Sequence, residues 1–406
     1  MSQAASPAAA APPDPAAGRS RLTVVSAIGI GQILAWGSSY YLLAVLAGPI
    51  AADTGWPLTW IMGALSLGML VSGLVSPRIG RLIELRGGRP VLAASAVLLA
   101  AGLLLLGLAP SLPVFMLAWV ILGLAMGAGL YDPAFSSLGR LYGEQARSAI
   151  TQVTLFGGFA STVCWPLSAL LAEQFGWRGA CLTYAAIHLT IGLPLYLFGV
   201  PREAARPAAP ARAAAAPLRV QASQRYAFVM LAAGFTLAAV IMTVLSVHLL
   251  ALLQSQGLAL AAAVALGTLI GPAQVGARIL EMVLGRKAHP IWSLVASAVL
   301  VALGLGMLVG APGVVAAGIV LYGMGSGIRS IARGTVPLAL FGREGYAVLM
   351  GRIAMPTLIA QAASPFLGAW LLDGFGAPAT LAVLCGAAVL NILMVLALLP
   401  VALRRR

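Results

Sequence analysis

The sequence predicts an all-α membrane protein of twelve transmembrane helices in two pseudo-symmetric six-helix bundles. Three observations carry that reading. Hydrophobic residues make up 61% of the 406 positions and charged residues only 8%, where a soluble domain carries about 25% charged residues. Apolar runs of about 20 residues, the length that spans a bilayer core as a helix, recur along the chain. The second half also repeats features of the first.

The spans fall at 22–50, 57–80, 90–109, 113–136, 148–172 and 179–200, then at 225–253, 258–284, 290–310, 313–335, 347–372 and 377–402. Residues 1–21 are rich in Ala and Pro and lack the basic start, apolar core and cleavage site of a signal peptide, so they read as a disordered cytoplasmic tail. The first bundle is 22–200. Residues 201–224 hold Pro201, Pro207, Pro210 and Pro217 among arginines and read as a flexible cytoplasmic linker. The second bundle is 225–403, and 404–406 form a short basic tail.

Leu92–Pro110 reads LAASAVLLAAGLLLLGLAP and Leu294–Pro312 reads LVASAVLVALGLGMLVGAP, an offset of 202. Met126-Gly127-Ala128-Gly129 recurs as Met324-Gly325-Ser326-Gly327, and Pro166 matches Pro365. Matches in one order at nearly one offset favour a duplicated six-helix unit over chance similarity between Ala/Leu-rich helices.

The formal charge of +14 would suit a polyanion partner, but the basic residues sit mostly in alternate loops. That is the positive-inside pattern, so the charge reports orientation, with both termini cytoplasmic and no nucleic-acid partner. Only Arg178 falls in a loop placed outside. Cys164, Cys181 and Cys385 lie in apolar segments and imply neither disulfides nor a metal site. With three histidines, and without H-E-x-x-H, G-x-S-x-G or G-x-x-x-x-G-K-[ST], the chain offers no enzyme signature, no metal and no cofactor.

The segment Gly80–Leu92, GRLIELRGGRPVL, resembles the loop between helices two and three of the major facilitator superfamily, roughly G-x-x-x-D-R-x-G-R-R. Gly80, Gly87 and Arg89 match, and Glu84 stands where Asp is usual. The resemblance implies the major facilitator fold over essentially the whole chain except the tails. It also implies a cytoplasmic latch between bundles, for which Glu84 and Arg89 are candidates. An ordinary positive-inside loop is the plainer alternative. Trp177, in the Phe175–Arg178 turn, is expected at the membrane interface. Helix eight, with Arg278 inside its apolar run, resembles the monocarboxylate and oxalate porters, in which a helix-eight arginine meets the substrate carboxylate. Gln274 stands where the monocarboxylate group has an acid, and helix one lacks that group's lysine.

A charge in the bilayer centre costs at least about 2.5–3.5 kcal/mol and marks a cavity or a partner. Arg278 either binds an anionic substrate or pairs with Glu281, three residues on along the same face. Arg329 is a second anion contact or a basic anchor, and the repeat aligns it with Tyr131 of helix four. Arg333 reads mainly as an anchor. Asp132 either carries a proton or pairs with Arg140 or Arg329 near the cytoplasmic gate. Trp36 and Tyr40, four apart on helix one, suit an aromatic or amphipathic ligand, or simply pack. The expected substrate-binding set is Arg278, Arg329, Gln274, Trp36, Tyr40 and Tyr131. The expected proton-coupling or gating set is Asp132, Glu281, Glu84 and Arg89. Together these predict a monomeric secondary transporter of a small carboxylate-type organic anion, with or without coupled protons, in the cell inner membrane. The alternatives are a drug exporter, a transporter of a larger aromatic metabolite, and a transporter-like sensor.

Overall fold

The computed structural model describes residues 19–203, 222–285, 288–308 and 312–404. Most of the predicted amino-terminal tail and of the linker, and the last two residues, lie outside the described residues. No strand occurs among those described. Eight helical stretches are long and apolar enough to cross a membrane. Two of them fold back on themselves, and an interrupted helix precedes them.

The first bundle comprises α1 (Arg21–Gly37, resuming as Leu43–Thr54), α2 (Leu58–Arg86), α3 (Gly88–Gly107) and α4 (Leu112–Gly129, resuming as Tyr131–Tyr142). Helix α5 starts at Ala146–Gly158 and resumes in Ala160–Ile187, a run that turns at Gly176. Beyond that turn lies α6, which passes through a π turn at His188–Gly192 and ends as Leu193–Gly199. The second bundle comprises α7 (Ala222–Gln254), α8 (Leu260–Gly267 and Ile270–Leu284), α9 (Pro290–Met307) and α10 (Pro312–Phe341). The run Tyr346–Leu396 turns at Gly376 into α11 and α12, and Leu399–Leu403 ends the chain's helices. Twelve passes result, in the two-bundle arrangement the sequence predicts.

The α5–α6 and α11–α12 turns are a structural echo of the repeat. Gly176 has φ 70°, ψ 171° and Gly376 has φ 78°, ψ 175°, a backbone region open essentially to glycine alone. Beside the first turn, Trp177 is buried. Its Nε1 donates to Asp53 Oδ2 at 2.9 Å, tying α6 to the end of α1.

The segment read as a loop after residue 80 is helical through Arg86, and α3 begins at Gly88. Nothing between Gly80 and Arg86 breaks a helix, and Gly87, at φ 84°, alone makes the turn. Helices α4 and α10 likewise continue to Tyr142 and Phe341. All these extensions lie on the face where the α2–α3, α4–α5, α8–α9 and α10–α11 connections gather, here called the basic face.

The bundles meet tightly on the basic side. A Cβ on Gly80 would strike the Ala347 carbonyl, and one on Gly351 the Ser76 carbonyl. Small residues therefore bring the backbones of α2 and α11 into close approach, as in other membrane helix pairs. The Leu260–Gly267 segment of α8 buries only Ala263.

Candidate functional site

Arg278, on α8, is 5% exposed. Its Nη1 donates to the Thr154 carbonyl of α5 at 2.9 Å and its Nε to the Gly327 carbonyl of α10 at 3.4 Å. Among the described residues no carboxylate lies within ion-pair distance of it. Gly158 makes the approach possible, because a Cβ there would collide with Nη1. The guanidinium is thus held at Nε and at Nη1 by neutral acceptors, and no carboxylate among the described residues offsets its charge. Nη2 makes no hydrogen bond to a described residue and is not sealed from solvent.

The neighbouring α4 break follows from local chemistry. Pro133 cannot donate and its ring crowds the carbonyl four residues back, which is that of Gly129. That carbonyl instead accepts from Gln32 Nε2 of α1 at 2.6 Å. Gln32 Oε1 then accepts from Trp36 Nε1 at 3.2 Å. This chain of bonds sets Trp36 against Tyr131, with ring centroids 5.0 Å apart. Tyr131 Oη donates, at 3.5 Å, to the same Thr154 carbonyl that Arg278 uses.

The α1 break shapes the same wall. Tyr41 N bonds the Trp36 carbonyl, five residues back, which adds a residue to the turn. Ser38 Oγ lies 2.7 Å from His188 Nε2, at the π turn of α6. Two irregular helices are therefore tied at their irregular points. Tyr40 stands 5.3 Å from both Trp36 and Tyr41, centroid to centroid.

The two expectations for Glu281 and Asp132 resolve into different pairs. Glu281 does not pair with Arg278. It accepts from Ser293 Oγ at 2.9 Å and from Arg147 Nη2 at 3.2 Å, and Arg147 also donates to the Gly285 and Ala288 carbonyls at 2.7 and 2.6 Å. The i, i+3 spacing on α8 put Arg278 and Glu281 on one helix, but α5 supplies a nearer cation. Asp132 pairs with neither Arg140 nor Arg329. Arg333 takes it at two points. The α4 break leaves Asp132 in the first turn of the resumed helix, where a carboxylate is favoured by the helix dipole.

Hydrogen bonds between the bundles include those of Arg278–Thr154, Arg147 with α8 and its following turn, and Arg333–Asp132. All lie from mid-membrane to the basic face. Glu84 is held in the first bundle through its backbone. Its carbonyl accepts from Arg140, which also pairs with Glu203, and Glu203 accepts from the Gly88 amide at 3.0 Å. Arg89 is half-buried and forms no ion pair with a described residue. Sequence reasoning missed Arg147 and Glu203 and gave Arg333 only an anchoring role. The signal for Arg333 was its spacing four residues from Arg329, which puts both on one face.

Arg329 stands apart from Arg278. It contacts the Met242 sulfur and lines a small cavity inside the second bundle with Tyr322, Ser326 and Asn391. Gln274 is half-buried one turn before Arg278, and its backbone packs on Gly327. Among the described residues no cluster of His, Cys, Asp or Glu could hold a metal ion.

Two helical bundles, packed closely on the basic face and meeting around a buried arginine with no ion pair to a described residue, define a multi-pass membrane protein. Residues 28–328 match the sequence model of the Major Facilitator Superfamily, and the chain belongs to that family. The family is one of transporters, not enzymes. Human monocarboxylate transporter 11 is 31% identical over 247 residues, covering 58% of this chain and 49% of that protein. Rat monocarboxylate transporter 3 is 33% identical over 141 residues, 34% of this chain and 27% of that protein. The chain thus spans about half, or less, of the length of these curated relatives. The crystal structure of the human organic anion transporter MFSD10 superposes with a TM-score of 0.75 at 17% identity, covering 95% of this chain and all of that one. The proton:xylose symporter XylE bound to 6-bromo-6-deoxy-D-glucose gives 0.72 at 13% identity, covering 92% and 94%. At these identities the structural likeness speaks for the fold alone.

Proposed function

We propose that the chain is a monomeric secondary transporter of a small organic anion of the carboxylate type, working by alternating access. The observation that carries this reading is Arg278, buried between the bundles, held by two carbonyls and without a counter-charge among the described residues. A guanidinium whose Nη2 is left without a partner suits a carboxylate oxygen. A bound anion would also remove the cost of a lone charge at that depth. The relatives named as monocarboxylate transporters are consistent with this substrate class.

In the same reading the basic face is cytoplasmic, both termini lie there, the membrane is the cell inner membrane, and 22–200 and 225–403 are the moving bundles. The recorded conformation is then closed to the cytoplasm and open outward. Asp132–Arg333 and Arg147–Glu281 act as the gate, with Glu84 and Arg140 bracing the first bundle beside it. Protonation of Asp132 would weaken the gate and provides a route to proton coupling. A rival reading as a sensor would need ligand binding without flux.

The test is uptake of labelled carboxylates into proteoliposomes. Wild type takes up solute above empty vesicles, Arg278→Gln does not, and Arg278→Lys retains a fraction. Undiminished uptake by a well-folded Arg278→Gln protein would sink the assignment.

A further inference from the structure

The geometry points to an aromatic monocarboxylate, a ring joined to one carboxylate, as the ligand class of the Arg278 site; this rests on the anion reading above. The first ground is the wall beside the guanidinium. Trp36, Tyr40 and Tyr41 from the α1 break, Tyr131 from the α4 break and Trp165 from α5 form a connected ring cluster. Each ring's centroid lies 5.0–6.1 Å from that of at least one other.

The second ground is exposure. Aromatic side chains that serve only as packing in this chain, such as Trp119, Tyr184, Tyr196 and Tyr346, are under 2% exposed or nearly so. The five cluster rings all keep exposed surface, and Trp165 is 45% exposed. Lipid does not account for the others. Tyr131 reaches the Thr154 carbonyl that Arg278 of the opposite bundle also uses, and Trp36 packs on Tyr131 with Tyr40 and Tyr41 beside it. These rings therefore face the space between bundles.

The third ground is register. Arg278 and Tyr131 share the Thr154 carbonyl and rest on the adjacent Gly158 and Gly157, where a Cβ would strike the guanidinium and the phenol respectively. A carboxylate on Nη2 consequently places whatever it carries against Tyr131 and Trp36. A flat π system gains from such a wall through stacked and edge contacts that a short aliphatic chain cannot make.

Charge restricts the ligand to one carboxylate. Arg147 and Arg333 are each committed to an acid and Arg329 is turned to Met242. Arg278, beside this wall, keeps Nη2 without a hydrogen bond to a described residue.

The experiment is calorimetric titration of the purified full-length protein in lipid nanodiscs. The probes are indole-3-acetate, phenylacetate, cyclohexylacetate, lactate, succinate and phenethylamine. Expected are dissociation constants for the two aromatic acids about tenfold or more below those for cyclohexylacetate and lactate. Trp36→Leu should erase most of that gap. Because Trp36 is hydrogen-bonded, Trp165→Leu serves as the second variant; its exposed ring can be lost with little effect on folding, and it should narrow the gap too. Equal binding of lactate and the aromatic acids, all dependent on Arg278, would overturn the aromatic inference and leave the anion reading standing. Tightest binding of phenethylamine, binding unchanged in Arg278→Gln, or no binding of any acid would overturn both.

Discussion

Arg333 grips Asp132 at two points, Nε to Oδ1 at 2.8 Å and Nη2 to Oδ2 at 2.7 Å, joining α10 of one bundle to α4 of the other. The side chains are 19% and 13% exposed, so water screens the pair only in part. Removing one partner strands the other charge, which costs about 3–5 kcal/mol when burial is complete and correspondingly less here. As the proposed gate, the pair should set the balance between open and closed basic faces. Asp132→Asn and Arg333→Gln should each open that face. The exchange Asp132→Arg with Arg333→Asp should restore part of the closure. Spin labels on cysteines placed at the exposed positions Arg86 and Arg343, with the native cysteines replaced, would read the change as a longer distance. An unchanged distance distribution in both single variants would refute the gate assignment.

The close approach of α2 and α11 supports the same closed state by shape. Gly80→Val or Gly351→Val would drive a side chain into a backbone carbonyl, which cannot rotate away. Overpacking of this kind costs about 1–3 kcal/mol, and the bundles can escape it by separating on the basic face. Both variants should therefore shift the same label pair outward. Gly48→Ala and Gly63→Ala, with nothing near the added carbon, should leave it where it was.

Much of this architecture was legible in the chain because bilayer thickness imposes a length on apolar runs, and a duplicated unit leaves matching sequences. Arg278 stood out for the same reason: a charge inside an apolar run is costly enough to need a purpose. Charge partners were not legible. Glu281 is three residues from Arg278 but takes its cation from Arg147, 134 positions away. Asp132 reaches 201 positions along the chain to Arg333. Pairing across bundles depends on how two rigid bodies dock, which helical periodicity within either body does not encode. The α4 break was readable in principle from Pro133, but its consequence, the capture of the Gly129 carbonyl by Gln32, required knowing which helix lies alongside.

The Arg147 network should separate charge from hydrogen bonding. Arg147→Ala removes the ion pair with Glu281 together with bonds to the Gly285 and Ala288 carbonyls. Glu281→Gln removes only the charge; its amide oxygen can still accept from Ser293 and from Arg147. Thermal unfolding in detergent should fall in both variants, more in the first, by the equivalent of roughly 1–3 kcal/mol against about 1 kcal/mol. A larger loss in Glu281→Gln would refute this ordering, because Arg147→Ala removes the same ion pair and the carbonyl bonds as well.

Gly158→Ala is the smallest change that tests the site itself. Gly158 closes the first segment of α5 and has no positive φ, so alanine adds no backbone strain there and the variant should fold about as well as wild type. Its methyl group would occupy the space now held by Arg278 Nη1. The guanidinium is the far end of a flexible side chain and can move aside, losing its bond to the Thr154 carbonyl and its fixed orientation. Misplaced by even an ångström, it should bind a carboxylate less well while the bundles still rock. Uptake kinetics should then show KM raised about tenfold, the equivalent of one lost charge-assisted hydrogen bond, with the maximal rate changed far less. If KM stays at its wild-type value while thermal unfolding is normal, the position of Arg278 against Thr154 has no part in substrate binding.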